Sequence, residues 1–157
     1  MSYIEVMREK FGHDLIQMTT AGAVLYNVTR DSILLTGRTD SDKGYGFPSG
    51  FVELGESAPE TLVREFKEEL GLDVRVAKLL GVSTKFVAQF RNGDKQQTMG
   101  MMFEVELIDP NQKIDHIQAD ELTFAKWVPL NPTPTMFIEQ AQDTMNHIAA
   151  NEIPWFV

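Results

Sequence analysis

The chain has 157 residues, 43% of them hydrophobic and 24% charged, the balance of an ordinary globular protein. Its net charge of −9 argues against an extended nucleic acid or an anionic membrane surface as partner, and the absence of cysteine excludes disulfides, thiolate metal ligands and cysteine nucleophiles. The length suits one domain over residues 1–157; the start of the chain lacks the pattern of a signal peptide and no stretch approaches the ~18 apolar residues of a membrane span, so a cytoplasmic location is the default expectation.

In chain order, Tyr3, Met7 and Phe11 recur at helical spacing and suggest a short helix over 3–11 that ends at Gly12. Residues 18–28 and 32–38 are apolar and β-rich, and read as a hairpin turning around Asn27–Asp31. The polar stretch 39–46 is a loop that leads through Phe47 into the most informative part of the chain. There Ser57-Ala58-Pro59-Glu60 forms a capping box with proline in the first turn, where its missing N–H costs nothing. Leu62, Val63, Phe66 and Leu70 supply an apolar stripe and Gly71 a left-handed C-cap, so the segment is a short amphipathic helix. Residues 73–91 read as one or two strands, Asn92-Gly93 as a hairpin turn, 95–108 as a long strand and 121–129 as a short one. From Pro134 to Ala150, Phe137, Ile138, Ala141, Met145 and Ile148 space as a closing amphipathic helix. Strands on either side of a central helix, with a helix to close, fit an α/β/α sandwich on a mixed β-sheet.

The polar face of the central helix carries the chemistry. Glu65, Glu68 and Glu69 are related as i, i+3 and i+4, so their carboxylates leave one side of the helix. Like charges at that spacing destabilise a helix by a few tenths of a kcal/mol per pair, a cost that a bound cation removes. Oxygen-only ligation suits Mg²⁺ or Mn²⁺, which also bind substrate phosphates. The plain alternative is a solvated, charged helix face.

Residues 50–72 as a whole resemble the signature of the Nudix hydrolases, G-x5-E-x7-R-E-U-x-E-E-x-G-U, with Gly50, Glu56, Arg64, Glu65, Glu68, Glu69, Gly71 and Leu72 in register. Phe66 stands where an aliphatic residue is usual, and Pro48-Ser49-Gly50 replaces the common Pro-Gly-Gly lead-in. The resemblance implies the α/β/α Nudix fold and hydrolysis of a diphosphate linked to another group, with Mg²⁺ (or Mn²⁺) as cofactor. It implies Glu65 and Glu69 as metal ligands, Glu68 as a further ligand or the residue that activates water, and the Ser49 carbonyl as a backbone ligand. Glu65 and Glu68 thereby form the catalytic group together with Arg64, whose pairing with Glu56 is positional, while Gly50 and Gly71 are structural. Many members add a distant acid; here Glu121, six residues before Trp127, and Asp120 compete for that place, and a solvated loop carboxylate is the alternative for each.

Substrate contacts are less determined. Arg38 reaches either a substrate phosphate or plain solvent from a strand end, and Phe47 leads into the signature beside the site. Phe86, Phe90 and Tyr26 could stack on a base, although strand aromatics are more often core, and Met99, Met101 and Met102 read as core or interface filling. His13, His116 and His147 show no ligand spacing and read as incidental. The proline of ADP-ribose-cleaving members is absent near Ala88, the tyrosine position of dinucleoside-polyphosphate members falls near Phe90, and the echo of the coenzyme A group at Leu34–Arg38 comes with too short a loop. A small nucleotide or nucleotide-sugar diphosphate is the expected partner, and a homodimer the expected assembly. The rival classes are a non-catalytic sensor of nucleotide metabolites, an isomerase of the isopentenyl diphosphate type, which the lack of cysteine opposes, and a structural cation-binding protein.

Overall fold

The computed structural model describes residues 1–41 and 43–157; Asp42, inside the loop expected at 39–46, lies outside the described residues. The elements in chain order are α1 (Tyr3–Phe11), β1 (Leu15–Leu25), β2 (Ser32–Arg38), β3 (Ser49–Phe51), α2 (Ala58–Leu70), β4 (Val74–Ser83), β5 (Val87–Gln89), β6 (Lys95–Leu107), β7 (Leu122–Pro129), α3 (Glu139–Ala150) and β8 (Trp155–Phe156). Helices α1 and α2 both begin with a reciprocal capping box, Ser2 with Glu5 and Ser57 with Glu60, which satisfies first-turn N–H groups that would otherwise lack partners. Gly71 closes α2 at φ 69°, and its missing side chain matters twice, because a Cβ there would run into the Asp115 carboxylate.

A six-stranded mixed sheet runs β3-β1-β6-β4-β8, with β5 paired to the outer part of β6. β1 and β6 are parallel in an eleven-residue register from Leu15↔Lys95 to Leu25↔Val105, and β4 lies antiparallel on the other side of β6. β2 and β7 form a separate antiparallel pair. The hairpin expected between 18–28 and 32–38 is therefore corrected. The turn does close, through the Tyr26↔Ile33 bridge and an Asn27 N–H donated to the Ser32 carbonyl at 3.0 Å. Beyond it the strands part, because β1 is buried along Ala21–Leu25 and takes both of its neighbours, β3 and β6, from distant sequence.

Apolar side chains fill both faces of the sheet, which makes the architecture the expected sandwich. On one face Leu62, Phe66 and Leu70 of α2 pack on Ala21, Ala23, Leu25 and Val105. On the other Ala141, Met145 and Ile148 of α3 pack with Val24, Leu80, Met102 and Trp155. Two details differ from the sequence reading. Val63, placed on the apolar stripe of α2, is 44% exposed, since the stripe narrows to the i, i+4, i+8 line of Leu62, Phe66 and Leu70. The closing helix starts at Glu139 rather than Pro134, because the preceding residues are drawn out against the 39–46 loop: Tyr45 bridges Met136, and Phe137 donates its N–H to the Tyr45 carbonyl at 3.0 Å.

Candidate active site

Strand β3 and helix α2 meet where Gly50 faces Glu65. A Cβ at residue 50 would occupy the space of the Glu65 carboxylate, so only glycine lets the strand backbone and this acid lie against each other. The Arg64 guanidinium then ties the loop to the helix. Its Nε and Nη2 donate to the two Glu56 oxygens at 2.8 and 3.0 Å, Nη2 also reaches the Phe51 carbonyl at 3.2 Å, and Nη1 bonds Glu65 at 2.6 Å and Glu68 at 3.3 Å. Those Arg64 bonds, opposed by partial burial and helped by a 2.7 Å bond from the Thr61 hydroxyl, hold the Glu56 carboxyl down at about 2.

Glu69 is in the opposite state. It is 2% exposed, and among the described residues its carboxylate has no hydrogen-bond partner. Burial, then repulsion from Glu65 and Glu121, pushes it up to about 8 against a weaker opposing pull from Arg38. Burial likewise raises Glu65, partly offset by Arg64. No three acidic or histidine side chains among the described residues already converge as a cation cage. The donor chemistry nevertheless fits a hard divalent cation. Glu65, Glu68 and Glu121 line one cavity with Ser49, and the buried Glu69 is near enough to all three acids for their charge to help raise its pKa.

That cavity, about 370 Å³, opens from the acidic turn of α2 across the sheet toward α3. Arg38 is on its wall, not at a free strand end: its guanidinium grips Asp40 with two bonds of 2.8 and 2.9 Å and lies 5.6 Å from the centre of the Phe137 ring. Phe47 is 8% exposed and serves both the cavity and the core beneath α3. Of the two competing acids, Glu121 lines the cavity and Asp120 does not; the Thr39 hydroxyl, which donates to both their carbonyls at 3.2 and 3.0 Å, fixes that orientation. Phe90 also lines the cavity, whereas Tyr26 lies under Arg30 at 4.0 Å and Phe86 against Lys85 at 5.1 Å, both elsewhere. Met101 and Met102 line the cavity; Met99, expected in core or interface, is 38% exposed.

Some contributors escaped the sequence reading. His116, read as incidental, donates from Nε2 to the Glu68 carbonyl at 2.8 Å and lies 2.7 Å from Asp115, which together raise its pKa and pin the 112–120 segment to the last turn of α2. Phe137 counted only as one of an apolar stripe. Gln96, Thr98, Ser83, Gln140 and Thr144 also line the cavity, and only the alternation of β6 hinted at two of them.

A family model described as the NUDIX domain matches residues 17–155. Over 111 residues the chain is 29% identical to Nudix hydrolase 2 of Arabidopsis thaliana, a match covering 69% of this chain and 37% of that protein. Over 51 residues it is 47% identical to an ADP-ribose pyrophosphatase of Methanocaldococcus jannaschii, covering 32% of this chain and 30% of that one. The chain thus spans only about a third of the length of these curated relatives. Among solved structures it is similar to a UDP-X diphosphatase (TM-score 0.64, 17% identity, 98% of this chain and 73% of the other). It is also similar to an ADP-ribose pyrophosphatase from Streptococcus suis (TM-score 0.66, 15% identity, 89% and 98%). At those identities the likeness is one of fold.

Proposed function

We propose that this chain, which belongs to the Nudix family of hydrolases, is a pyrophosphohydrolase that uses one domain, residues 1–157, to split a small nucleoside diphosphate linked to another group by attack of water on phosphorus. The observation that carries the reading is the gathering of acids at the turn of α2: Glu65, Glu68 and Glu121 line one cavity, and the buried Glu69 is close enough to feel the charge of all three. Glu65, Glu69, Glu68, Glu121 and the Ser49 carbonyl are the groups that would hold Mg²⁺, or Mn²⁺ in its place. Such an ion, when bound, neutralises diphosphate charge and makes a coordinated water more acidic.

The chain's own residues divide the remaining work. Glu68 is the most accessible of the three helix acids, with its side chain 56% exposed, and is suited to accept the proton of the attacking water. Arg64 is a positioning residue, holding Glu65 and Glu68 in place through one guanidinium while anchoring the loop through Glu56. Arg38, charged yet already bonded to Asp40, presents a cation at the cavity wall for a diphosphate oxygen. Phe47 closes the site against the core and keeps water from the far side. The chain's likeness to ADP-ribose pyrophosphatases and to a UDP-X diphosphatase favours a nucleoside diphosphate joined to a second moiety over a free triphosphate. The proposed setting is the cytoplasm, consistent with no described helix being long and apolar enough to cross a membrane, and the proposed assembly a homodimer.

The test is turnover of a panel of diphosphate compounds with Mg²⁺, beside the Glu68→Gln variant. Release of a monophosphate by the wild-type chain, lowered at least ~100-fold in the variant, is the expected result. No turnover of any diphosphate at enzyme excess would refute hydrolysis and leave a binding module.

A further inference from the structure

The end of the cavity away from the glutamates has an unusual wall. Along β6, residues 96, 98, 100 and 102 share one face of the sheet, the face that carries the core beneath α3. Apolar residues are expected there, and Met102 obeys. Gln96 and Thr98 do not, although they are only 5% and 7% exposed. Across the sheet from Gly100 stands Ser83, 2% exposed, and from α3 above come Gln140 and Thr144, the latter 2% exposed. All these residues line the cavity, and none is charged.

Their hydrogen bonds are half complete. Gln140 Nε2 donates to the Ser83 hydroxyl at 2.8 Å, and Gln96 Nε2 to the Thr98 hydroxyl at 3.0 Å. The other half of each carboxamide, the carbonyl oxygen, has no partner among the described residues, and neither does the Thr144 hydroxyl. None of these three oxygens is sealed from solvent, so each is open to accept a hydrogen bond from a group that enters the cavity. Gly100 makes the arrangement possible: a Cβ there would come within 2.5 Å of Gln140 Nε2, so glycine is what lets the amide reach across to Ser83. The rings of Phe90 and Phe137 face the same space.

We infer that Gln96, Gln140 and Thr144 form the specificity wall of this enzyme, selecting an uncharged group that carries N–H or O–H donors, at the end of the substrate remote from the acidic turn. The inference rests on the pyrophosphohydrolase reading and adds to it. The wall accepts a nucleobase edge or a sugar hydroxyl and disfavours both a hydrocarbon, which would leave two amides unpaired, and a second anion, for which it offers no cation. One buried and one half-buried carboxamide, Gln96 and Gln140, each with a carbonyl oxygen free to accept, discriminate far better between analogues than an apolar pocket of equal size.

The test compares ADP-ribose, UDP-glucose, phosphoribosyl diphosphate and geranyl diphosphate as substrates for the wild-type chain and for Gln140→Leu, Gln96→Leu and Gly100→Ala. Wild type is expected to prefer a donor-bearing substrate over geranyl diphosphate by at least tenfold in kcat/KM. Each variant is expected to lose at least tenfold of that preference through KM, with kcat within threefold. Gly100→Ala keeps every polar group and only displaces the Gln140 amide, so it separates recognition from loss of folding. A separate arm with ADP-glucose, which changes only the base relative to UDP-glucose and only the sugar relative to ADP-ribose, shows which of the two meets the wall. Equal loss on all four substrates, or a wild-type preference for geranyl diphosphate, overturns the inference. If nothing is turned over, the hydrolase reading fails while the wall is still decided by thermal shift with UMP, AMP and ribose 5-phosphate. A shift in the wild type that Gln140→Leu abolishes supports the wall, and no shift with any of them sinks it.

Discussion

Replacing Glu69 by glutamine should make the metal-free protein more stable, and only at neutral and alkaline pH. Glu69 is 2% exposed and its pKa is lifted from 4.5 to about 8. A carboxyl whose folded-state pKa is raised costs nothing below the unfolded value, because both states then hold the proton. Between 4.5 and 8 the unfolded chain releases a proton that the folded chain keeps, so stability falls as pH rises. At ~1.4 kcal/mol per pH unit the penalty reaches about 4 kcal/mol at pH 7.5 and levels off above pH 8. For a chain of this size that corresponds to a rise in melting temperature on the order of 10 °C when the charge is removed. The assay is thermal unfolding of both proteins in EDTA from pH 5 to pH 9. The curves should coincide near pH 5 and separate progressively to pH 8, and Mg²⁺ should narrow the gap by stabilising the wild type alone. A Glu69→Gln protein no more stable than wild type at pH 8 in EDTA would refute the claim that this acid is buried without a partner.

The other expectations are simpler. Glu56 is held at about 2, so the stability it lends is present above pH ~4.5 and lost as pH falls toward 2; Glu56→Gln should cost about 2–3 kcal/mol at pH 7 and flatten that acid limb in denaturant titrations. Gly50→Ala should drive the Glu65 carboxylate from its place and lower kcat about 10–100-fold with the fold intact, and unchanged kcat would show that Glu65 has room elsewhere. His116→Ala should release the 112–120 segment, visible as faster hydrogen exchange at the Gln118 amide that donates to the Glu69 carbonyl at 3.0 Å; equal exchange would mean that backbone bonds alone hold it. Nucleotide affinity should collapse in EDTA, because the cavity wall carries Glu53, Glu65, Glu68 and Glu121 against two arginines that are already ion-paired; calorimetry giving the same affinity with and without Mg²⁺ would oppose this.

What could be read from the sequence was what is local. The span of α2, its caps and its three acids depend on residues within one or two turns of each other, and spacing alone places them. The β5–β6 turn at Asn92-Gly93 has the same character, with Gly93 at φ 93°. The errors arose where partners come from far along the chain. Nothing near β1 announces that β3 and β6 will flank it, so adjacency to β2 was the natural but wrong inference. Nothing in 134–138 shows that Tyr45 will hold the chain extended there and delay the helix. At the site, Glu121 and Asp120 could not be separated until Thr39 was seen to orient their backbone.

The two ends of the cavity illustrate why one was legible and the other was not. Around α2 the acids repel one another, and a sequence reveals such a conflict because like charges at helical spacing are unfavourable by themselves. Arg64 resolves only part of it, bonding Glu56, Glu65 and Glu68, while Glu69 and Glu121 have no ion pair among the described residues and feel only the more distant charge of Arg38. At the far end the conflict is between polar side chains and burial, and it exists only once β4, β6 and α3 have come together. Gln96, Thr98 and Gln140 are unremarkable as letters; inside the protein they are groups whose desolvation is only partly offset by their neighbours. Both ends therefore leave a debt of unmatched polarity, charge at one and hydrogen bonds at the other. A molecule with a charged diphosphate at one end and a neutral donor-bearing group at the other can satisfy both, with the cation between it and the acids.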